Sequence, residues 1–308
     1  MKPIICIAGP TASGKSAWAI QISKSLGGEI INADAIQVYS ELSIISARPS
    51  KSEMLSIPHH LFGHIDSNFR YSAGNWISEV ESLIIDIQAR GKTPILTGGT
   101  GLYFKSLIDG IAKIPSIPSD IILETNKFLE QNGIEGLRNL AEKLDSKAAS
   151  RVLGKDAHRL MRIINVYKAT NKPISFWQEN TKPVVPRIFC HCAVLLPERQ
   201  KLYDAINNRF DLMMEKGLLN EAERIFSKNI DPGLPIMKAI GLREFFPYFR
   251  GDISLDEAVD LAKRNSRRFA KRQFTWFRGQ LKNWNEINVK SQRKNFEEIG
   301  RASCRERV

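Results

Sequence analysis

The sequence lacks the features that define several classes of protein. None of its apolar runs approaches the roughly 18–20 residues that span a bilayer, so we expect no membrane attachment. Its 4 cysteines in 308 residues do not make a disulfide framework, which favours a reducing compartment. The start of the chain resembles neither a signal peptide nor an Arg-rich transit peptide. We expect a monomeric protein in the cytoplasm.

The composition, 43% hydrophobic and 25% charged residues, is that of a globular protein and excludes collagen-like, mucin-like and disordered chains. The charge is unevenly distributed. Residues 1–114 carry 10 basic and 9 acidic side chains, whereas residues 115–308 carry 35 basic and 24 acidic ones. This excess indicates either contact with a polyanion or a generally basic surface, and composition leaves both interpretations open.

The strongest motif is Gly9-Pro10-Thr11-Ala12-Ser13-Gly14-Lys15-Ser16, which matches the phosphate-loop pattern G-x-x-x-x-G-K-[ST]. It follows a predicted strand at residues 3–8 and opens a predicted helix at residues 16–26, the context that such a loop requires. The glycines let backbone N–H groups turn towards a phosphate, and the helix N-terminus adds partial positive charge. Lys15 supplies a point charge, and the Ser16 hydroxyl is the expected Mg²⁺ ligand.

The order of predicted elements indicates an α/β fold, a P-loop core with a parallel sheet flanked by helices, plus an inserted all-helical domain. Further strands are predicted at residues 29–33, 94–97 and 188–196. Helices are predicted at residues 73–90, throughout 120–180, and at 198–216, 218–229, 236–249 and 255–280. Proline-rich turns suggest these boundaries: a core at 1–114 and 187–290, and a helical insertion at 115–186. Residues 291–308 form a tail, either natively disordered or left over from cloning.

An acidic residue at a strand end is the second candidate for chemistry. A P-loop NTPase should have a later strand that ends in Asp, but the strand at 94–97 is followed by Gly98-Gly99-Thr100-Gly101. Asp34 instead follows the strand at 29–33. Because the carboxyl ends of parallel strands line one crevice, Asp34, Thr100 and the phosphate loop should face one another. Asp34 could bind a metal, act as a general base, or only cap a turn.

A basic helix towards the end of the chain is a candidate nucleic-acid surface. Positions 264, 268, 271 and 272 fall on one face, with Lys263 and Arg267 beside it. Such a face suits an RNA backbone, although charge runs are often only solvated surfaces. Cys190-His191-Cys192 and the histidines 59, 60 and 64 lack the other ligands of a metal site, so we expect them to be structural.

Five segments, taken in order, identify a family that the chain resembles. They are Gly9–Ser16, Asp34-Ala35-Ile36-Gln37-Val38-Tyr39, Pro58-His59-His60-Leu61, Gly98-Gly99-Thr100-Gly101-Leu102-Tyr103 and Lys271-Arg272-Gln273-Phe274-Thr275-Trp276-Phe277-Arg278. Together they resemble the tRNA dimethylallyltransferases, also called tRNA isopentenyltransferases, from about residue 4 to about residue 285. The resemblance implies transfer of a dimethylallyl group from dimethylallyl diphosphate to N6 of the adenosine at tRNA position 37.

The resemblance also implies roles for particular residues. Asp34 would be the general base, Lys15 would stabilise the leaving diphosphate, and Thr100 would hold substrate across the crevice. Gln37 suits an adenine edge because its amide both donates and accepts. The implied diphosphate ligands are Gly9, Pro10, Thr11, Ala12, Ser13, Gly14, Lys15, Ser16 and Arg209. The implied tRNA contacts are Asp34, Ala35, Ile36, Gln37, Thr100 and, in the helical insertion, His158, Arg159, Leu160, Met161 and Arg162. Ala35 replaces the family's usual Ser.

Other functions compete with this one. A P-loop nucleotide kinase explains residues 9–16 equally well but not the basic helix or the segment 98–103. An RNA-binding protein with a nucleotide switch leaves Asp34 and Thr100 without a role. Prenylation of free adenine nucleotides is a further alternative, and the helical insertion with the basic distal part argues instead for a large polyanionic acceptor.

Overall fold

The computed structural model describes residues 3–54 and 56–287; the tail predicted at 291–308 lies outside these. The chain forms two compact units. One comprises the chain up to Ile108 and again from Val184, and the other is Asp109–Pro183. The edges of the second unit lie a few residues before the boundaries that the proline-rich turns suggest.

The first unit is built on a six-stranded sheet. Its strands are β1 (Ile4–Ala8), β2 (Gly28–Asn32), β3 (His59–His60), β4 (Thr93–Gly98), β5 (Cys190–Leu195) and β6 (Asn285–Ile287). They run parallel in the order β3-β2-β4-β1-β5-β6. The predicted α/β fold with a parallel sheet is confirmed. The sequence did not predict β3 and β6, which are two and three residues long and too short for a hydrophobic alternation.

Helices flank the sheet. In chain order the α-helices are α1 (Lys15–Leu26), α2 (Lys51–Met54), α3 (Ala73–Ala89), α4 (Gly101–Asp109), α5 (Ser119–Leu144), α6 (Ser146–Ala149), α7 (Ala157–Thr170), α8 (Ile174–Glu179), α9 (Arg199–Glu215), α10 (Leu218–Ser227), α11 (Phe246–Phe249) and α12 (Leu255–Gln280). Helix α1 packs Trp18 and Ile22 against Ile5, Ile30 and Ile95 of the strands. This buried apolar contact fixes the position of the helix that follows the phosphate loop.

The single helix predicted over 236–249 is wrong. The structure has two 3₁₀ turns, Pro235–Lys238 and Arg243–Phe245, followed by the short helix α11. Gly241 lies between the turns with φ +89°, a left-handed conformation that a continuous helix cannot contain. Its backbone N–H is bound by the buried Glu244 carboxylate at 2.9 Å, which stabilises the break.

The second unit consists of helices, as predicted for residues 120–180. Helix α5 contains Gly133 at φ +64° and ψ −173°, so its backbone is interrupted there. Its second half packs Leu137 and Ala141 against Leu160 and Ile164 of α7. A buried carboxylate also joins the short helices: Asp145 accepts hydrogen bonds from the N–H groups of residues 148 and 175 at 2.9 and 2.8 Å.

The long helix α12 has the bounds that its sequence predicts. Ser254 caps its first turn, and Glu257 reaches back to the cap backbone N–H. Among the residues that the structure describes, no helix is long and apolar enough to cross a membrane.

Candidate active site

The phosphate loop joins β1 to α1 and is shaped by its glycines. A Cβ on Gly9 would lie 2.6 Å from Ser13 Oγ and 3.1 Å from the carbonyl oxygen of Leu195, so a side chain does not fit there. Gly14 caps helix α1 with φ +84°. Lys15 and Ser16 then begin the helix, whose first N–H groups have no partner within it and attract an anion.

Two cations meet at this loop. Lys15 Nζ donates a hydrogen bond to the carbonyl of Pro10 at 3.2 Å. Burial lowers the pKa of Lys15 to about 8; the charge of Asp34 partly opposes this shift, and that of Arg209 adds to it. Arg209, from α9, donates to the hydroxyl of Thr11. The structure therefore brings Lys15, Arg209 and Asp34 close enough for their charges to interact.

The carboxylate of Asp34 is fixed by its own turn. Oδ1 accepts hydrogen bonds from the N–H groups of Ile36 and Gln37 at 2.9 and 3.4 Å. The Asp34 N–H donates to Oδ1 of Asn32 at 2.9 Å. The second oxygen, Oδ2, accepts no hydrogen bond within the part of the chain that the structure describes, and it faces Gly99, where a Cβ would lie 3.2 Å away. One oxygen caps the turn, and the other remains available to a substrate.

The loop after β4 holds the Asp34 turn in place. Thr100 Oγ1 accepts the N–H of Ala35 at 2.9 Å, and the Thr100 N–H donates to the carbonyl of Ala33 at 3.1 Å. A Cβ on Gly98 would lie only 2.0 Å from that carbonyl oxygen, so only glycine allows this approach. The sequence predicts that Thr100 holds substrate. In the structure its oxygen binds the neighbouring turn, and the role towards substrate stays a prediction.

The hydrogen bonds of Gln37 go to backbone carbonyls, whereas its predicted role is to contact an adenine edge. Its Nε2 donates to the carbonyls of Ser46 and Ala47 at 3.0 and 3.1 Å. Both of its amide hydrogens therefore bind backbone, and they fix the segment 43–47 rather than face an open cavity. The reading of an adenine edge by Gln37 stays a prediction.

The segment 43–47 is also held from α10. The buried carboxylate of Glu221 accepts hydrogen bonds from the N–H and hydroxyl of Ser43 and from the N–H groups of Ile44 and Ile45, at 2.7 to 3.0 Å. Sequence reasoning did not identify Glu221, because its partners lie 176 to 178 residues away in the chain.

A cavity of about 270 Å³ adjoins the phosphate loop and the Asp34 turn. One part of its lining is polar and includes Thr11, Asp34, Thr100 and Arg209. The other part is apolar and includes Ile36, Ile45, Ile206, Phe210, Met213 and Ile240. A second cavity, of about 1100 Å³, is lined by Ser16, Arg209 and the basic residues Lys24, Arg48, Lys51 and Lys216. Ala35 and Ile36 also line the smaller cavity, and their contact with tRNA stays a prediction.

Gln273, on α12, is a site residue to which the sequence analysis assigned no role. Its Oε1 accepts the N–H of Thr11 at 3.0 Å, and its Nε2 donates to the carbonyl of Gly99 at 2.8 Å. The side chain is buried. One signal could have found it: Ala270, Gln273 and Phe277 share the buried face of the helix, and a polar residue on such a face needs polar partners.

The cations on the basic face of α12 are exposed to solvent, whereas the two beside that face have partners within the protein. Arg264, Arg268, Lys271 and Arg272 are exposed. The two residues beside that face have partners on α9: Lys263 pairs with Asp211 at 2.5 Å, and Arg267 donates to Asn207 at 2.7 Å.

The predicted tRNA segment of the helical unit lies at the start of α7. His158, Arg159 and Arg162 are exposed there, and Met161 is partly buried. Leu160 requires a correction, because its side chain is fully buried in the core of that unit and does not face a surface. Its contribution is to pack the helix that presents its exposed neighbours.

Together, a parallel sheet, a phosphate loop after its first strand and a carboxylate at the end of the next define a P-loop protein with an apolar cavity beside the loop. Two family models match the chain: IPP transferase over residues 37–280 and Isopentenyl transferase over residues 2–62. The chain belongs to the tRNA dimethylallyltransferase family and is therefore an enzyme, a prenyl transferase.

Individual relatives agree with this assignment. The chain is 45% identical over 289 residues to a tRNA dimethylallyltransferase of Maricaulis maris, covering 94% of each chain. It is 44% identical to one of Hyphomonas neptunium, covering 93% of this chain and 91% of the other. Among solved structures, a tRNA isopentenylpyrophosphate transferase of Bacillus halodurans aligns with a TM-score of 0.71 at 32% identity, covering 98% and 97% of the two chains. A eukaryotic dimethylallyltransferase described as acting on tRNA aligns at 0.82 and 27% identity, covering 94% of this chain and 74% of that one.

Proposed function

We propose that this transferase moves a dimethylallyl group from dimethylallyl diphosphate to N6 of the adenosine at tRNA position 37. The observation that carries the proposal is the 270 Å³ cavity, which Asp34, Arg209 and Thr11 of the phosphate loop line beside a wall of apolar side chains. This arrangement suits a substrate with a charged end and a branched hydrocarbon end, next to a base for the acceptor.

The donor would lie with its diphosphate on the loop and its hydrocarbon in the chamber. Lys15, Arg209 and the first N–H groups of α1 supply positive charge where the leaving group carries negative charge. Ile206, Phe210 and Met213 line the chamber from α9, the same helix that carries Arg209. Because the apolar side chains lie beside Arg209, the diphosphate would face Arg209 and the hydrocarbon would face the apolar side chains.

Magnesium fits this site at Ser16. The hydroxyl of Ser16 is exposed in the first turn of α1, and Mg²⁺ is commonly held by one or two protein oxygens together with phosphate oxygens and water. The described residues contain no group of three or more His, Cys, Asp or Glu suited to a metal, so the donor set is that of a shared phosphate–magnesium site. When bound, Mg²⁺ would neutralise part of the charge of the leaving diphosphate.

The reaction proceeds by attack of the adenosine N6 nitrogen on C1 of the dimethylallyl group. The C1–O bond to the diphosphate breaks as the N6–C1 bond forms, and the diphosphate leaves with both electrons of the broken bond. Asp34 Oδ2 accepts the proton that N6 loses. Oδ1 stays bonded to its turn during this step, which keeps the carboxylate oriented. Lys15 and Arg209 stabilise the departing charge.

Several observations support tRNA as the acceptor. The exposed face of α12 (Arg264, Arg268, Lys271 and Arg272) and the exposed cations of α7 (Arg159 and Arg162) offer positive charge to a phosphate backbone. The aligned eukaryotic enzyme is described as acting on tRNA. An adenosine within an anticodon loop must leave its stack to enter a chamber of this size.

The acceptor is tested by supplying dimethylallyl diphosphate and Mg²⁺ with either tRNA or AMP. Mass analysis of the digested nucleosides identifies which adenosine gains the prenyl group. We expect the group on a tRNA adenosine next to the anticodon and none on AMP. Prenylated AMP without modified tRNA would instead establish the free-nucleotide alternative.

A further inference from the structure

The side chain of Gln273 joins the two loops that would bind the two substrates. Its carbonyl oxygen accepts the N–H of Thr11 in the phosphate loop, and its amide nitrogen donates to the carbonyl of Gly99 after β4. These partners lie 262 and 174 residues away in the chain. The residue has a relative exposure of 6%, and a buried amide of this kind needs protein hydrogen-bond partners.

Each partner of Gln273 is connected to the proposed catalytic groups. The hydroxyl of Thr11 accepts from Arg209, a proposed ligand of the diphosphate. Gly99 lies between Gly98, which packs against the backbone of Ala33, and Thr100, which binds the N–H of Ala35. Gln273 therefore connects the loop that holds the leaving group with the loop that holds the base.

The fit around this amide is tight. A Cβ on Gly99 would lie 2.5 Å from Gln273 Nε2 and 3.2 Å from Asp34 Oδ2. The neighbours of Gln273 on the same helical face, Ala270 and Phe277, are fully buried, so close packing opposes a shift of the helix. A change at Gln273 would be transmitted to both loops.

We infer that Gln273 is a positioning residue that sets the distance between the diphosphate and the Asp34 carboxylate. It touches neither the reacting carbon nor the adenosine, and it acts through Thr11 and Gly99. The inference rests on the proposed function. In-line attack requires the nucleophile, C1 and the leaving oxygen to be aligned, so a displacement of either loop by about 1 Å costs on the order of 10²-fold in rate.

The test uses Gln273→Glu and Gln273→Met in the full chain. Glutamate keeps the length and an acceptor for the Thr11 N–H but loses the N–H donor to Gly99. Methionine keeps the length and removes both hydrogen bonds. Gln280→Met is the matched control, because it makes the same substitution at an exposed position of the same helix. Circular dichroism establishes that each variant is folded, and the more conservative Gln273→Glu decides the question if Gln273→Met does not fold.

We expect the single-turnover rate at saturating tRNA and dimethylallyl diphosphate to fall by about 10–100-fold in both Gln273 variants. The KM for the donor and the Kd for tRNA should stay within about threefold of the wild type. A general loss of stability would not lower the rate while leaving both binding constants unchanged. A rate within twofold of the Gln280→Met control, or a loss seen only in KM or Kd, would overturn the inference. Failure of the proposed function is distinguishable, because then the wild type itself would not modify tRNA.

Discussion

The hydroxyl oxygen of Thr100 accepts the backbone N–H of Ala35 at 2.9 Å. This bond joins the loop after β4 to the turn that carries Asp34, and the backbone bond from Thr100 N–H to Ala33 reinforces it at 3.1 Å. Because β2 and β4 are adjacent in the sheet, the two loops leave it side by side. The position of the candidate base is thus a direct consequence of strand order.

The ionisation of Lys15 predicts how donor binding depends on pH. Its pKa of about 8 means that Lys15 of the free enzyme loses its charge above pH 8. Binding of the diphosphate at higher pH then requires Lys15 to take up a proton again, which weakens binding. We expect the Kd for dimethylallyl diphosphate to be nearly constant from about pH 7 to about pH 7.5, and to rise by up to about tenfold per pH unit above about pH 8. Isothermal titration calorimetry measures it. Lys15→Arg should remove the slope, because arginine stays charged; an unchanged slope would refute the assignment.

The buried carboxylate of Glu221 predicts a variant with weaker donor binding. In Glu221→Gln an N–H₂ group replaces one of the two carboxylate oxygens and faces backbone N–H groups of the segment 43–45, which leaves donors without an acceptor at a cost of about 1–3 kcal/mol. We therefore expect a lower Tm. Because Ile45 lines the smaller cavity, we also expect the KM for the donor to rise by about tenfold. Glu223→Gln, at an exposed position of the same helix, should change neither. A normal KM in a destabilised Glu221→Gln would show that the segment does not shape the donor site.

The exposed face of α12 predicts a salt-dependent interaction with tRNA. We expect the replacement of Arg264, Arg268 and Lys271 by Gln to reduce the slope of log Kd against log salt concentration by about 2–3 units. The reason is that each phosphate contact releases counterions when tRNA binds, and the variant makes fewer such contacts. Fluorescence anisotropy with labelled tRNA measures this slope. The charge-matched control neutralises Lys92, Lys201 and Lys228, which are exposed elsewhere in the same unit. Equal slopes in the two triple variants would mean that α12 presents only a solvated surface.

An ion pair between the buried Glu29 and the exposed Arg90, at the end of β2 opposite Asp34, predicts part of the acid sensitivity of the fold. The Arg90 guanidinium, with a smaller contribution from His60, lowers the pKa of Glu29 in the folded state. The folded pKa lies below the unfolded one, so this stabilisation is complete above about pH 4.5 and is lost as the pH falls further. We expect Glu29→Gln to lower the Tm by several degrees at pH 7 and to reduce the difference in Tm between pH 7 and pH 3. An unaltered difference would contradict the prediction.

The sequence predicted four of the six strands and most helices because these depend on local pattern. Helix α12 was predicted with its observed bounds, and the structure shows that Ser254 caps its first turn. The helix expected over 236–249 fails because Gly241 takes a left-handed conformation that a spacing rule does not consider. The phosphate loop and Asp34 were found from motifs and strand ends. Gln273 and Glu221 were not, since their importance depends on partners more than 170 residues away.

Single-turnover kinetics decide whether Asp34 is a general base. The single-turnover rate of Asp34→Asn is compared with that of the wild type at two Mg²⁺ concentrations, with Asp252→Asn, at an exposed position, as the matched control. Asparagine keeps the size of the side chain and an acceptor for the Ile36 N–H but cannot accept the N6 proton. The account predicts a rate lower by about 10²–10⁴-fold at both concentrations, with unchanged affinity for dimethylallyl diphosphate. Recovery of the rate at high Mg²⁺, together with weak binding of the diphosphate at low Mg²⁺, would show that Asp34 is a metal ligand and would contradict the account.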